Sequence, residues 1–156
     1  MLFRSIDAAV KKTASAPVSD QQLRVVPINN GEYNVGVGVV HRAKTAGRDI
    51  GGGIEHSQIA EIYHIISGTG TLVTDGTIEN LKDTPADSPT VTTLNGPSSG
   101  GGKVVGGKSR KLGPGDVVVI PPNTPHWWTE IAGDQIVYLV VRMDPHKVLP
   151  AGYVNK

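Results

Sequence analysis

The 156-residue sequence has no cysteine. That excludes disulfides, thiolate metal ligands and cysteine nucleophiles, so any bound metal must be held by nitrogen and oxygen donors. Long apolar runs are missing as well. Stretches such as Val117–Ile120 and 136–141 fall far short of the roughly 20 residues that a membrane helix needs. The N-terminal residues also lack an apolar core followed by a cleavage site. The expectation is a soluble, cytoplasmic protein, with an exported mature form, Met1 standing in for a removed signal, as the alternative. Charge of one sign is not concentrated either. Fifteen Lys and Arg against fourteen Asp and Glu leave +1, which argues against nucleic acid or an anionic membrane as partner and favours a small, nearly neutral molecule.

What is abundant is glycine and proline, 20 and 11 residues against 38% hydrophobic content. This composition describes many short elements joined by tight turns, and hence an all-β fold. Ser5 is placed to cap a short N-terminal helix ending near Lys12, with Asp7 in its first turn and Lys11 and Lys12 in its last. From Leu23 onward the pattern changes to β-branched runs bounded by Gly, Asn, Asp and Pro. Strands are predicted over 23–28, 33–42, 61–67, 70–74, 103–105, 109–112, 116–120, 126–131 and 135–143. Turns are predicted at Asn30-Gly31, Ser67-Gly68, Asp75-Gly76, Gly113-Pro114-Gly115 and Gly133-Asp134. The chain therefore divides into an N-terminal arm with a short helix (1–22), a barrel (23–145) and a C-terminal tail (146–156). Within the barrel, residues 79–102 are rich in Pro, Ser, Thr, Asn and Gly. They read as a long surface excursion, either a lid over the barrel mouth or a mobile insertion.

Two segments carry the chemistry. In the first, His56 precedes Glu61 by five positions, and six residues separate Glu61 from Gly68. In the second, five residues separate Gly115 from Pro121, and His126 follows Pro125. Neutral imidazole and carboxylate suit zinc, iron, manganese, nickel or copper, and two histidines with one carboxylate leave coordination positions open for water and substrate. Strand alternation puts Glu61, Tyr63 and Ile65 on one face and His126 and Trp128 on one face, with His64 and Trp127 pointing the other way. His41, His64 and His146 read as structural. Tyr63 and Trp128 are expected either to line a substrate pocket or to pack in the core.

The two segments resemble the paired motifs of the cupin superfamily. There, the first runs Gly, five residues, His, one residue, His, three or four residues, Glu, six residues, Gly. The second runs Gly, five residues, Pro, one residue, Gly, two residues, His, three residues, Asn. Asn123 stands in the glycine position, where its tolerance of positive φ preserves the turn, and Glu130 stands where the family has Asn. Upstream of Glu61 one residue is missing, which leaves His56 and Gln58 where two histidines are usual; Glu55 is the substitute if the loop register shifts. The resemblance spans about 35–143. It implies a cupin-type double-stranded β-helix, or jelly roll, with one divalent metal ion held by His56, Glu61 and His126, and by Gln58 as a weaker oxygen donor. It further implies a metal-dependent enzyme acting on a small organic molecule, with dioxygenase chemistry ahead of lyase or isomerase chemistry. Glu61 would serve as ligand or as general base. A non-catalytic sugar- or metabolite-binding module, and a storage-type cupin with a vestigial site, are the competing classes. A homodimer is expected, because pairing closes an exposed sheet edge.

Overall fold

The computed structural model describes residues 6–47 and 51–155. Helix α1, Ile6–Lys12, has Asp7 in its first turn and Lys11 and Lys12 in its last, the charge order that suits the helix dipole. Ser5, expected as its cap, lies outside the described residues. Strands β1 (Val18–Ile28), β2 (Tyr33–Ala43), β3 (Ile54–His56), β4 (Ala60–Thr74), β5 (Thr77–Ile78) and β6 (Lys82–Asp83) follow. Then come β7 (Ser98–Gly100), β8 (Val104–Val105), β9 (Lys108–Leu112), β10 (Val117–Ile120) and β11 (His126–Asp144). A 3-10 turn at Asn29–Gly31 and a π-helical turn at Thr90–Asn95 interrupt them.

Every strand pairing is antiparallel. β4 and β11 run side by side and tie the fold together. β11 also pairs with β2, and through His126 with β3, while β4 also carries β9 and β10. Both strands are longer than the sequence suggests, because two predicted turns do not reverse the chain. β4 continues through Gly68 and β11 through Gly133, and four residues of β11 bulge between Ile131 and Ile136 opposite Gly70 and Gly68. Gly68 has φ 77°, and a Cβ there would lie 1.9 Å from the carbonyl oxygen of Gln135. Such a bulge bends a strand sharply, so that one strand can serve two sheet faces.

Three further expectations are corrected. β1 begins at Val18, so residues 18–22, expected in the arm, belong to the sheet and pair with β2. Their alternation is hard to read because Ser19 and Gln22 are polar yet buried. The C-terminal segment packs onto the barrel: Leu149 is buried with Val25 and Ile59, and Val154 bridges to Arg24. Short paired strands lie within residues 79–102, expected as a long surface excursion. Within them β7 pairs with β3, β6 pairs with β7, and Asn95 and Ser98 are buried.

The main core fills the interior between the sheets, with Ile65, Leu72, Trp128, Ile131, Ile136 and Tyr138 among its members. A second cluster lies outside, where Ala9 of α1 covers Val39 and Val137. Residues in β2 therefore alternate between the interior and the helix-covered face.

Candidate metal centre

Three strands deliver the motif side chains to one point. His56 ends β3, Glu61 lies near the start of β4, and His126 opens β11. His126 pairs with Ile54 across β11 and β3, and the amide of Asn123 donates to the carbonyl of His56 at 2.8 Å. This bond clamps the turn of the second motif to the last residue of the first. Asn123 has φ 58°, the left-handed conformation expected of a residue in the glycine position. One ligand atom from each of His56, Glu61 and His126 lies within 4.8 Å of the others, and all three residues are buried. The Nε2 atoms of His56 and His126 are 3.5 and 3.6 Å from the same oxygen, Oε2 of Glu61.

The other ring nitrogens set the orientation. The Ser98 hydroxyl donates its one proton to the carbonyl of Gly96 at 2.8 Å, so it can only accept from His56 Nδ1, also at 2.8 Å. His126 Nδ1 donates to the carbonyl of Thr124 at 3.0 Å. Both rings therefore carry a proton on Nδ1, and in the neutral form each presents its Nε2 lone pair to the centre. Outer hydrogen bonds of this kind orient metal-binding imidazoles. Burial, reinforced by the neighbouring His56, pushes the pKa of His126 down to about 4, against the opposing pull of Glu61.

Glu61 is held at both oxygens. Tyr63 donates its hydroxyl to Oε2 at 2.6 Å, and Arg142 donates Nε to Oε1 at 3.0 Å. Burial alone would raise the pKa of this carboxyl, but His56, Arg142 and His126 outweigh it and hold the value well below the usual range. Arg142 is paired with Glu61 across β11 and β4 and is 1% exposed. Its remaining nitrogens donate to Gln22 Oε1 and Asp20 Oδ2. Gly36 and Gly38 of β2 make room for this layer. A Cβ at Gly36 would lie 2.6 Å from Gln22 Nε2, and one at Gly38 3.0 Å from Arg142 Nη1.

The remaining predicted site residues divide. Tyr63 reaches the centre through its hydroxyl and packs its ring 4.6 Å from that of Tyr138. Trp128 is buried in the main core, stacked on Tyr138 at 5.4 Å, and its indole Nε1 has no hydrogen-bond partner. Gln58 is half-buried in the connection between β3 and β4 and forms no hydrogen bond to the trio among the described residues. Glu55 alternates with His56 on β3 and so faces away. Exposed His64 points outward as expected. Sequence reasoning missed Arg142, Ser98, Asp20 and Gln22. Arg142 had a signal, a cation at an inward position of the apolar run that begins at Ile136; Ser98, inside a low-complexity stretch, had none.

No protein-family model and no curated protein matches the chain. Solved structures do match. The DMSP lyase DddQ from Ruegeria pomeroyi DSS-3 superposes with a TM-score of 0.51 at 17% identity, covering 90% of this chain and 53% of that protein. A recombinant oxalate oxidase in complex with glycolate superposes with a TM-score of 0.50 at 18% identity, covering 83% and 52%. The chain thus spans about half the length of each. Both are cupin-fold proteins. The fold of this chain is accordingly an all-β cupin-type jelly roll with a short N-terminal helix. Its interior trio of His56, Glu61 and His126 could hold one metal ion. The donor set fits such an ion: two Nε2 positions and a carboxylate kept ionised by Arg142 face one another across a buried gap.

Proposed function

We propose that this chain is a mononuclear metal-dependent enzyme acting on a small organic molecule, with His56, Glu61 and His126 as the protein ligands. One observation carries the reading. Two imidazoles have their Nδ1–H groups committed to Ser98 and Thr124 and their Nε2 atoms 3.5 and 3.6 Å from one carboxylate oxygen. Such lone pairs, buried and converging, repel unless a cation lies between them.

The ion supplies Lewis acidity or, if redox-active, electron transfer. Zinc, iron, manganese, nickel and copper all suit the donors. The chain's own residues do the rest. Arg142 and Tyr63 fix Glu61, which favours a stationary ligand over a carboxylate that swings away to act as base. Should Glu61 take a substrate proton, it must first give up the bond from Tyr63. Gln58 supplies at most a weak amide oxygen at the rim. Tyr63, bonded to Glu61 and with its ring 6.3 Å from that of His126, forms the wall beside the centre, and Trp128 backs it through Tyr138.

Oxygenase chemistry is the first assignment within this class, followed by lyase or isomerase chemistry. Oxygen consumption with catechols, flavonols and 1,3-diketones tests it after loading with each metal. Uptake of oxygen with one of them is the expected result. Product formation without oxygen uptake would move the chain to the lyase or isomerase class, and stoichiometric metal without turnover would move it to the binding modules. The chain is further read as a homodimer. β10 pairs only with β4 among the described residues, and Val117 and Val119 on its outer face are 61% and 64% exposed. Sedimentation at micromolar concentration should give twice the chain mass, and a monomer would overturn this part.

A further inference from the structure

One cation in the barrel interior has no use in the site as described. Gly36, Gly38, Val40 and Arg42 share the inward face of β2 by strand alternation, and Val40 belongs to the main core. Arg42 is half-buried, and its Nε donates to the hydroxyl of Tyr138 at 3.1 Å. The Tyr138 ring lies 4.6 Å from Tyr63, whose hydroxyl is bonded to Glu61. Arg42 is therefore separated from the trio by two rings, those of Tyr138 and Tyr63. Among the described residues it has no carboxylate within ion-pair distance and no hydrogen-bond partner for either terminal nitrogen. Arg142, by contrast, has all its donor nitrogens occupied.

The charge balance sharpens the point. Around the centre, Glu61 and Asp20 balance Arg42 and Arg142, and imidazoles that bind a metal through Nε2 add no charge. The buried carboxylate of β11, Asp144, is committed to the amides of Val148 and Leu149 and to Asn34. A divalent ion would thus bring two uncompensated positive charges into a largely desolvated interior, which is costly unless an anion accompanies it. A guanidinium whose Nε is fixed and whose terminal nitrogens are free presents a planar fork matched to a carboxylate.

We propose that Arg42 binds a carboxylate group of the substrate, so that the substrate class of this site is a small carboxylic acid. The inference rests on the metal-centre reading above. The test uses zinc-loaded protein and two probes of one skeleton, malonate and its neutral diamide malonamide, titrated by calorimetry. Malonate is expected to bind more tightly than malonamide. Arg42→Met should weaken malonate about ten- to hundredfold, the range for a charge-assisted hydrogen-bonded pair, leave malonamide affinity unchanged, and not weaken zinc binding, since a neighbouring cation is removed. Arg42→Lys, which keeps the charge and loses the fork, should fall between; if the Met variant does not fold, it carries the comparison alone. Equal malonate affinity in wild type and variants, or malonamide binding as tightly as malonate, would overturn the assignment while leaving the metal centre intact. A chain that takes up no zinc in competition with a chromogenic chelator would overturn the metal centre and this inference together.

Discussion

The two halves of the barrel interior are built from the same pair of strands by opposite means. In one half, β4 and β11 contribute Ile65, Leu72, Trp128, Ile131 and Ile136, and cohesion comes from apolar burial. In the other, they contribute Glu61, Tyr63, His126 and Arg142, and cohesion comes from a connected set of hydrogen bonds that reaches Asp20 and Gln22 on β1. The apolar half tolerates a lost contact in proportion to the volume removed. The polar half is less forgiving, because each member leaves a buried partner unsatisfied when it goes. The contrast separates a half built for stability from one built to hold charge in place.

The largest effect is expected in the apolar half. Trp128→Ala removes a fully buried ring stacked on Tyr138 and should cost about 3–5 kcal/mol in urea unfolding, since a large cavity remains. A loss below 1 kcal/mol would mean that this half is not close-packed.

A somewhat smaller effect should separate the halves by pH. His126 has a pKa of about 4 in the fold against an ordinary value near 6.5 when unfolded. Between these values the unfolded chain binds the extra proton, so stability is fully present above pH 6.5 and falls as pH drops toward 4. The loss in metal-free protein should be on the order of 3 kcal/mol, and His126→Phe should flatten that part of the profile. An unchanged profile in the variant would place the titration elsewhere.

Ser98→Ala tests the outer support of the polar half. It removes the acceptor for His56 Nδ1–H and should weaken metal binding about tenfold to a hundredfold, the usual effect of losing such a partner, and cost about 1–3 kcal/mol in urea unfolding, because a buried donor is left without an acceptor. The smallest effect belongs to Gln58→His. It should tighten metal binding if position 58 reaches the ion, because imidazole is the better donor toward zinc, nickel and copper. Unchanged affinity in a chelator competition would indicate that residue 58 points away.

How much of this could be read beforehand follows the same division. Local signals marked the two motifs. Gly115, Pro121 and Asn123 are turn residues whose geometry is set by their own backbone, and alternation along β4 and β11 sorted Glu61 and His126 from His64 and Trp127. Contacts between distant residues left no such mark. Glu61 and Arg142 are 81 positions apart and His56 and Ser98 are 42 apart. Ser98 sits in a Ser- and Gly-rich stretch without strand propensity, which becomes strand only because β3 offers a partner edge. The predicted turns at Gly68 and Gly133 failed for a related reason. Glycine there permits a bulge in a continuous strand as readily as a reversal, and only the neighbouring strand decides which.

The central claim is that His56, Glu61 and His126 together hold one metal ion. Elemental analysis of protein purified without chelator, for the wild type and for His126→Ala, tests it most directly. The account predicts about one divalent ion per chain in the wild type and none after dialysis in the variant, with both giving the same far-ultraviolet circular dichroism. Stoichiometric metal in folded His126→Ala, or a wild type that retains no ion when offered one, would contradict it.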